Sequence, residues 1–252
     1  MSRVLLAGES WTTTSVHTKG FDSFTTSVYE EGAEHFIAVL EHAGHQVEYQ
    51  PNHIAADRFP YTATELDHYD VVVLSDIGAN TLLLPSSVFL HGIRRPNRLQ
   101  VLADWVDAGG ALLMVGGYLS FQGIEAKANY RGSPLAAALP VELEIGDDRV
   151  EAPHGAIGSL TSEAPFPVAE GPWPPLLGYH RFSAKADATV VAEIEGHPLA
   201  VLGRVGRGRS AALGTDMGPH WVPTEFLEWP GYSDLMRGLV EWLAVAPGRE
   251  AS

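Results

Sequence analysis

The chain has 252 residues, of which 45% are hydrophobic and 19% charged, and this is the balance of a globular protein. Its formal net charge of −15 argues against nucleic acid and against an anionic membrane surface as the main partner, because both require a basic face on the protein. The sequence contains no cysteine, which excludes disulfides, zinc–thiolate sites and a cysteine nucleophile.

The length fits one large α/β domain. The first apolar run, residues 4–7, is too short for a signal peptide, and no run approaches membrane-spanning length, so we expect a soluble, cytoplasmic protein. We expect a single domain over 1–252, with a parallel α/β half over 1–140, a mostly β half over 141–215, and a site loop with a C-terminal helix over 216–252.

The first predicted strand, residues 3–7, is followed by a segment rich in Ser and Thr. Ser27 and Glu30 have the spacing of a capping box, which predicts that the first helix starts at Ser27 and ends at Gly44.

The segment before that helix, residues 10–26, is then a long loop. Loops of this length between a strand and a helix are more often functional than idle, although a plain insertion is the alternative. We expect the loop to fold over a ligand crevice and to contribute Trp11 or His17 to it.

Three further elements lead to the centre of the sequence. Residues 47–49 form a short predicted strand, residues 71–74 a buried one, and residues 96–108 a helix with apolar residues at helical spacing. Residues 111–115 are all apolar and are flanked by glycine, which is typical of a buried parallel strand. This βαβαβ order predicts an α/β fold with a parallel sheet and right-handed crossovers.

The central strand ends in Gly116-Gly117-Tyr118-Leu119-Ser120-Phe121, which we name the central turn. Its glycines let the backbone turn sharply and approach a ligand. In open α/β sheets the ligand crevice lies beyond the carboxyl ends of the strands, so this turn is the predicted floor of a site.

From residue 141 the pattern changes to short strands separated by turns, which predicts an antiparallel, mostly β half. Before it, Ser133 and Pro134 predict a helix start, and after it Ser233 is predicted to cap a final helix over 235–244. The predicted strands of this half are 141–145, 176–183, 189–194, 198–204 and 209–214.

The central turn lies where class I glutamine amidotransferase-like proteins carry their nucleophile elbow. Further stretches that resemble this superfamily, including its cysteine-less and trehalose-utilisation-type members, are 75–80, 196–200, 206–210, 214–216 and 218–221. Nearly the whole chain resembles the cytoplasmic family described as "putative glutamine amidotransferase". The resemblance implies a flavodoxin-like three-layer α/β sandwich with an antiparallel β extension.

The chain departs from the glutaminase pattern at the nucleophile. Glutaminases use a cysteine at the elbow, with His and Glu behind it. Here Tyr118 takes the cysteine position, or Ser120 does so after a register shift of two. Neither residue supplies a thiolate, so the resemblance implies the fold, and we expect no glutaminase activity.

Ser120 and His220 form the sharpest candidate pair. A serine at such a turn can be a nucleophile if a histidine takes its proton, and His220 follows the last strand, where this fold type supplies its histidine. The alternative is that Ser120 caps the next helix and that His220 packs against Trp221.

Tyr118 could donate to an oxyanion or stack on a sugar, or it could simply line the turn. Backbone N–H groups from Gly117 onward could form an anion nest.

Polar residues at other strand ends are candidates by position. Asp76 could orient a histidine or bind a hydroxyl, and its alternative role is an Asx-type turn cap. Asn80 lies just beyond Asp76, and Glu9 ends the first strand. Carboxylates with imidazoles can bind a divalent ion, yet the candidates Asp216, His220, Glu225, His180 and His17 show no recognisable metal spacing, so we expect no metal and no cofactor.

The sequence therefore predicts a hydrolase or lyase on a small polar, carbohydrate-like metabolite, because aromatic rings cover apolar sugar faces while carboxylates hold hydroxyls. The alternative is a non-catalytic binding or assembly module. The expected partners are a small-molecule substrate and a second copy in a homo-oligomer, with no nucleic acid and no membrane. The expected catalytic residues are His220, Ser120, Tyr118 and Asp76. The expected substrate-binding residues are Glu9, Ser10, Trp11, His17, Asn80, Gly117, Phe121, His180, Asp216, Trp221 and Glu225.

Overall fold

The computed structural model describes residues 1–245. Its strands are β1 (Arg3–Gly8), β2 (Ser10–Lys19), β3 (Asp22–Glu31), β4 (Gln46–Gln50), β5 (Val71–Ser75), β6 (Ala111–Val115), β7 (Val141–Leu143), β8 (Arg149–Ala156), β9 (Gly158–Leu160), β10 (Leu176–His180), β11 (Phe182–Ala184), β12 (Thr189–Ile194), β13 (His197–Val205) and β14 (Gly208–Leu213). Its α-helices are α1 (Glu34–His42), α2 (Asn52–Arg58), α3 (Ala63–Leu66), α4 (Ala79–Leu83), α5 (Ser86–Phe89), α6 (Arg98–Asp107), α7 (Thr224–Leu227) and α8 (Pro230–Ala244).

An eight-stranded sheet in the order β4-β1-β5-β6-β14-β13-β12-β9 forms the centre of the molecule. The strands from β4 to β14 pair in parallel, and those from β14 to β9 pair antiparallel. β5 and β6 are buried along their whole length, as expected for strands covered by helices on both faces. The predicted flavodoxin-like α/β fold with an antiparallel extension is confirmed.

Two apolar cores lie on opposite faces of this sheet, because successive side chains of a strand point to opposite sides. In β1, Val4 and Leu6 join the core that contains residues of α1 and α8. Leu5 and Ala7 join the core that contains residues of α6. The helices thus form the two outer layers of a three-layer sandwich.

The predicted first loop and the start of the first helix are wrong. Residues 10–31 form an antiparallel hairpin of β2 and β3, and Ser27 lies inside β3. α1 begins at Glu34, after the N-cap residue Ala33. The run of Thr, Val, Phe and Tyr in this segment has a high propensity for strands, and that propensity prevailed over the capping-box spacing of Ser27 and Glu30.

Other boundaries differ as well. The predicted strand 176–183 is interrupted at Arg181 and forms β10 and β11, which belong to two different small sheets. β8 and β9 were not predicted, and neither were the short helices α2 to α5. Ser133 and Pro134 lead into a 3-10 helix, Pro134–Ala138. The last helix begins at Pro230, which is favourable at the first helical position, so Ser233 is inside it and is not its cap.

Within residues 1–245, none of the helices combines the length and the apolar character needed to span a bilayer. Residues 246–252 of the predicted C-terminal segment lie outside the described residues. The division of the chain at residues 140 and 215 stays a prediction. β14 nevertheless lies in the middle of the central sheet, so the two predicted halves share one sheet.

Candidate functional site

Four neighbouring strands end at the same edge of the central sheet. Glu9 follows β1, Asp76 follows β5, the central turn follows β6, and Asp216 lies three residues beyond β14. Because these strands are parallel, their carboxyl ends meet, and this is the edge at which open α/β sheets bind ligands.

Backbone strain is concentrated at this edge. Glu9, Asp76, Phe121 and His220 have φ values of 49°, 42°, 51° and 102°, in the region that side chains other than glycine rarely adopt. At Glu9 the strain is held by three hydrogen bonds: its N–H donates to the Ser75 carbonyl, and its carbonyl accepts from Gly32 N–H and from the Tyr49 hydroxyl. Strained residues that are held in this way are typical of functional sites.

Two buried carboxyls, Glu9 and Asp216, interact at the centre of the edge. The Ser75 hydroxyl donates to Glu9 Oε2 at 2.5 Å, and Met217 N–H donates to Asp216 Oδ1 at 2.8 Å. In the described part of the chain, Glu9 Oε1 and Asp216 Oδ2 have no ordinary donor. We call this the carboxyl pair.

A proton shared by the two carboxyls accounts for this arrangement, because it would supply the donor that Glu9 Oε1 and Asp216 Oδ2 otherwise lack. Burial, followed by the charges of Asp216 and Asp76, raises the pKa of Glu9 well above its usual range. Burial also raises the pKa of Asp216, whose ionised form is favoured by two backbone N–H groups and by its hydrogen bond with Glu9. The pKa of both carboxyls is therefore raised in the folded protein, which favours a proton held within the carboxyl pair.

Asp76 connects β5 to the central turn. Leu119 N–H donates to Asp76 Oδ1 at 2.6 Å, and Asp76 N–H donates to Ser120 Oγ at 3.0 Å. Burial raises the pKa of Asp76, while the Leu119 bond and the nearby His220 and His180 oppose this. The backbone N–H of Leu119 belongs to the predicted anion nest, and it binds the Asp76 carboxyl of the protein itself.

His220 lies above the carboxyl pair. Its Nδ1 is 3.8 Å from Asp216 Oδ2, and its side chain is 35% exposed. The ring packs against Trp11, with centroids 4.4 Å apart, and meets the edge of Tyr118 at 5.9 Å. Imidazoles exchange protons near neutral pH, so this is the side chain of the edge best suited to proton transfer in contact with solvent.

Aromatic rings form the rest of the surface around His220. Tyr118 packs against Trp221 at 5.7 Å, and the Arg149 guanidinium lies 4.8 Å from the centre of the Tyr118 ring. Trp221 is buried, and its Nε1 donates to Glu151 at 3.1 Å. Burial, and then the Glu151 carboxylate, raises the pKa of Tyr118, which keeps its hydroxyl a donor.

His180 supports the central turn from below. Its Nε2 lies 2.9 Å from the Gly117 carbonyl and its Nδ1 lies 2.8 Å from Asp148 Oδ1, and the side chain is fully buried. Because a backbone carbonyl can only accept, Nε2 is the donor in the bond to Gly117. Asp148 also accepts from Gln122 and Gly123 N–H. His180 therefore holds the turn in place and is not exposed to a ligand.

Ser120 and His220 do not form the predicted nucleophilic pair. Ser120 Oγ is buried and accepts from Asp76 N–H, and no hydrogen bond joins it to His220 in the described chain. The alternative, that Ser120 caps a helix, is not met in the described residues either, because the next element after the turn is a 3-10 turn, Ile124–Ala126, which begins at the N-cap residue Gly123. Ser120 therefore ties the turn to β5.

The remaining predicted site residues divide into two groups. Ser10 and Phe121 are buried beneath the site: Ser10 Oγ accepts from Asn52 N–H, and Phe121 packs between His180 and Phe182. His17, Asn80 and Glu225 are exposed, and no hydrogen bond, ion pair or ring contact joins them to the carboxyl pair in the described residues. Of the two side chains expected from the segment 10–26, His17 stacks on Phe24 on the hairpin, whereas Trp11 packs against the His220 ring.

Sequence reasoning missed Ser75, Asp148, Arg149 and Glu151. Arg149 and Glu151 are two residues apart on β8, and their ion pair places both side chains on one face of that strand. A strand prediction at 149–156 could have found this pairing. Among residues 1–245, no group of three or more His, Asp or Glu side chains could hold a metal ion.

Comparison with known proteins places this geometry in context. A family model described as "Putative glutamine amidotransferase" matches residues 3–245. The structure of a cytoplasmic protein from Salmonella typhimurium is 43% identical, with a TM-score of 0.92, over 95% of this chain and 98% of that one. A second, from strain LT2, is 44% identical with a TM-score of 0.89, over 96% and 99%.

A more distant structure, a ThuA-like protein from Bacteroides uniformis, is 10% identical with a TM-score of 0.51, over 96% of this chain and 90% of that one. At this identity the likeness shows a shared fold alone. No match was found among curated proteins.

Proposed function

The chain belongs to the family described as putative glutamine amidotransferases, and from this premise we propose that it is a hydrolase or lyase that acts on a small polar, carbohydrate-like metabolite, with His220 as its acid–base group. The observation that carries the proposal is the contact of a solvent-exposed imidazole with a buried carboxyl at the ligand-binding edge of the sheet. The proposal concerns chemistry other than the glutaminase reaction.

The contact with Asp216 suits His220 to proton transfer. Because Nδ1 faces Asp216, Nε2 is the nitrogen left for a substrate. When Nε2 takes a proton, the Asp216 carboxyl stabilises the imidazolium, as the carboxylate does in a Ser-His-Asp triad. The separation of 3.8 Å is longer than a hydrogen bond, and catalytic hydrogen bonds are often long before substrate binds.

The chemistry that this arrangement supports is general acid–base catalysis without a covalent intermediate. The chain has no thiol, and the Ser120 hydroxyl is bonded to Asp76 N–H, away from His220. His220 would then deprotonate a water molecule for hydrolysis, or a carbon-bound proton for elimination.

The surroundings of His220 support a sugar-like substrate. Trp11 and Tyr118 are half-buried and offer ring faces beside the imidazole. Arg149, held by Asp147 and Glu151, adds a positive charge next to Tyr118, which suits a sugar acid or another hydroxylated anion. We propose a cytoplasmic location, since two similar structures are of cytoplasmic proteins.

The test is a panel of three substrate classes: p-nitrophenyl glycosides, sugar lactones and sugar acids. Nitrophenol release, proton release and formation of 2-keto-3-deoxy acids report glycoside hydrolysis, lactone hydrolysis and elimination. His220→Ala is compared with His17→Ala, which removes an exposed imidazole on the hairpin. Turnover that His220→Ala loses and His17→Ala keeps supports the proposal. Equal turnover in both variants, or none in any class, contradicts it.

One observation favours a second candidate function, a non-catalytic binding or assembly module. The Trp11 ring lies on His220 and the Tyr118 ring lies on Trp221, so aromatic side chains fill much of the crevice. Calorimetry would show that such a module binds a sugar acid, and no turnover would accompany the binding. Trp11→Ala would change the affinity, and His220→Ala would leave turnover at zero.

A further inference from the structure

The hairpin of β2 and β3, residues 10–31, projects from the molecule, and we name it the hairpin arm. Each strand has ten residues, which corresponds to roughly 33 Å of length. Within residues 1–245 the two strands pair only with each other, and every residue from Thr12 to Glu31 is exposed. A two-stranded hairpin without cover is marginally stable at best in water, so the arm needs a partner surface.

The hairpin arm carries large apolar side chains that its own molecule does not cover. Phe21, at the tip, is fully exposed, and Val16, Phe24, Val28 and Tyr29 are each about half exposed or more. The strand register pairs His17 with Phe24 and Thr13 with Val28, which places Phe24 and Val28 on the same face of the arm. Exposed apolar groups that are collected in this way mark interaction surfaces.

A second uncovered apolar surface lies on the body of the same molecule. Leu84, Phe89, Leu90 and Ile93 are between 43% and 71% exposed, and we name residues 84–93 the apolar ledge. The ledge begins at the end of α4, which follows β5, and the arm follows β1. Because β1 and β5 are neighbours in the sheet, the arm and the ledge start from the same edge of the molecule.

The charges of the two surfaces are complementary. The hairpin arm carries Asp22, Glu30 and Glu31 against a single Lys19. The apolar ledge contains no acidic residue and is followed directly by Arg94 and Arg95. In a chain with a net charge of −15, most surfaces repel a second copy, whereas the net charge of this arm and the charges that follow this ledge are opposite in sign.

We propose that the hairpin arm of one copy docks on the apolar ledge of a second copy, and that the same contact is made in the opposite direction, in a two-fold symmetric dimer. A reciprocal contact of this kind is the self-complementary interface that two-fold symmetry requires. The inference does not depend on the proposed reaction, because the apolar residues that it uses, Phe21 and Phe24 of the arm and Phe89 and Leu90 of the ledge, belong neither to the carboxyl pair nor to the rings around His220.

The experiment measures mass by light scattering during gel filtration for four proteins. They are the wild type, an arm variant with Phe21→Ser and Phe24→Thr, a ledge variant with Phe89→Ser and Leu90→Ser, and a control with Ile145→Ser and Ile157→Ser, two exposed apolar residues outside both surfaces. Circular dichroism checks the fold, which should persist because every substituted side chain is exposed.

We expect a dimeric wild type and a dimeric control, while the arm and ledge variants each raise the dissociation constant by at least about 30-fold, as for loss of an interface anchor. Mixing the two variants should restore part of the dimer, because one arm and one ledge in the mixed pair are intact. A monomeric wild type, a dimer that survives either variant, or a mixture that stays monomeric overturns the proposal. A ledge variant that stays dimeric while the arm variant dissociates would indicate that arms pair with arms.

Discussion

At the scale of single residues, His220 depends on its neighbours for its role. Asp216 lies behind its Nδ1, Trp11 covers its ring, and Tyr118 meets it edge-on. Its positive φ is a conformation that few residues other than glycine adopt, and here it places an imidazole directly over a buried carboxyl. Substitutions in this group therefore separate a role in proton transfer from a role in packing.

Three of the four candidate catalytic side chains, His220, Tyr118 and Ser120, should differ in their effect on turnover of the substrate that the panel identifies. His220→Ala should lower turnover by about 10²–10⁴-fold, the usual loss on removing a general base. Tyr118→Phe should cause a smaller loss, because it removes one donor and keeps the ring. Ser120→Ala would abolish turnover only if an acyl or glycosyl intermediate formed on the Ser120 hydroxyl. Without such an intermediate, the substitution should lower the free energy of unfolding by about 1–3 kcal/mol, since Asp76 N–H loses its acceptor.

The measurements are steady-state turnover, circular dichroism and urea unfolding of all three variants. A His220→Ala protein that is folded and fully active would refute the site assignment.

Glu9→Gln should make the protein more stable at neutral pH. The pKa of Glu9 is raised in the folded state, so the folded protein keeps a proton that the unfolded chain releases above its ordinary pKa of about 4.3. The wild type therefore loses free energy of unfolding as pH rises through the interval between these two pKa values, and it has no such penalty below about pH 4. Glutamine carries no charge, keeps an acceptor for Ser75, and can donate its amide to Asp216.

Urea unfolding is measured from about pH 4 to about pH 8. As pH rises, the free energy of unfolding of the variant should exceed that of the wild type, by on the order of 1 kcal/mol at neutral pH. Glu225→Gln is the control, because Glu225 is exposed and lies outside the carboxyl pair. A Glu9→Gln protein that is less stable than the wild type at neutral pH would contradict a shared proton.

At the scale of elements, the central turn is held by two acids from different parts of the chain. Asp76 accepts from Leu119 N–H on one side, and Asp148 accepts from Gln122 and Gly123 N–H on the other. Gly117 is needed here, because its φ is +128° and a Cβ would lie 2.8 Å from Asp76 Cβ. The turn therefore has one defined shape before any ligand arrives.

Asp148→Ala should destabilise the protein by several kcal/mol, because each buried group left without its hydrogen-bond partner costs about 1–3 kcal/mol. The substitution removes the acceptor of two turn N–H groups and leaves His180 Nδ1 without its partner. Asp147→Ala, one residue earlier, breaks a partly exposed ion pair with Arg149 and should cost at most about 1 kcal/mol. Equal midpoints for the two variants in urea unfolding would show that Asp148 does not support the turn.

At the scale of the whole molecule, the protein has an amidotransferase-like fold but lacks the cysteine on which the glutaminase reaction depends. The central turn resembles a nucleophile elbow in sequence, but it carries Tyr118 and a buried Ser120 and has no cysteine. No α-helix follows the turn, so the strand–turn–helix geometry that exposes a nucleophile is missing from the described chain.

We therefore predict that the purified protein releases no ammonia from glutamine. Without a cysteine the thioester route is closed, and Ser120 has no histidine within hydrogen-bonding distance in the described structure. A coupled ammonia assay compares the wild type with His220→Ala. Ammonia release by the wild type above the level of the variant would overturn the prediction.

The sequence by itself determined the buried strands, the central turn and the fold class. The apolar runs that became β5 and β6, and the glycines that end β6, are signals carried by a few consecutive residues. It also placed Glu9, Asp76 and His220 near strand ends, because strand ends can be found locally. The capping-box spacing at Ser27 was equally local, and it failed because the β propensity of the surrounding segment was stronger.

Only the tertiary structure decided which of these residues meet. The pairing of Glu9 with Asp216, the bond from Asp76 N–H to Ser120, and the approach of Arg149 to Tyr118 all join segments far apart in the chain. Such contacts depend on the order of strands in the sheet and on the path of the chain between them. Neither of these can be read from a short sequence pattern. For the same reason Ser120 was a nucleophile candidate from the sequence and is a structural acceptor in the fold.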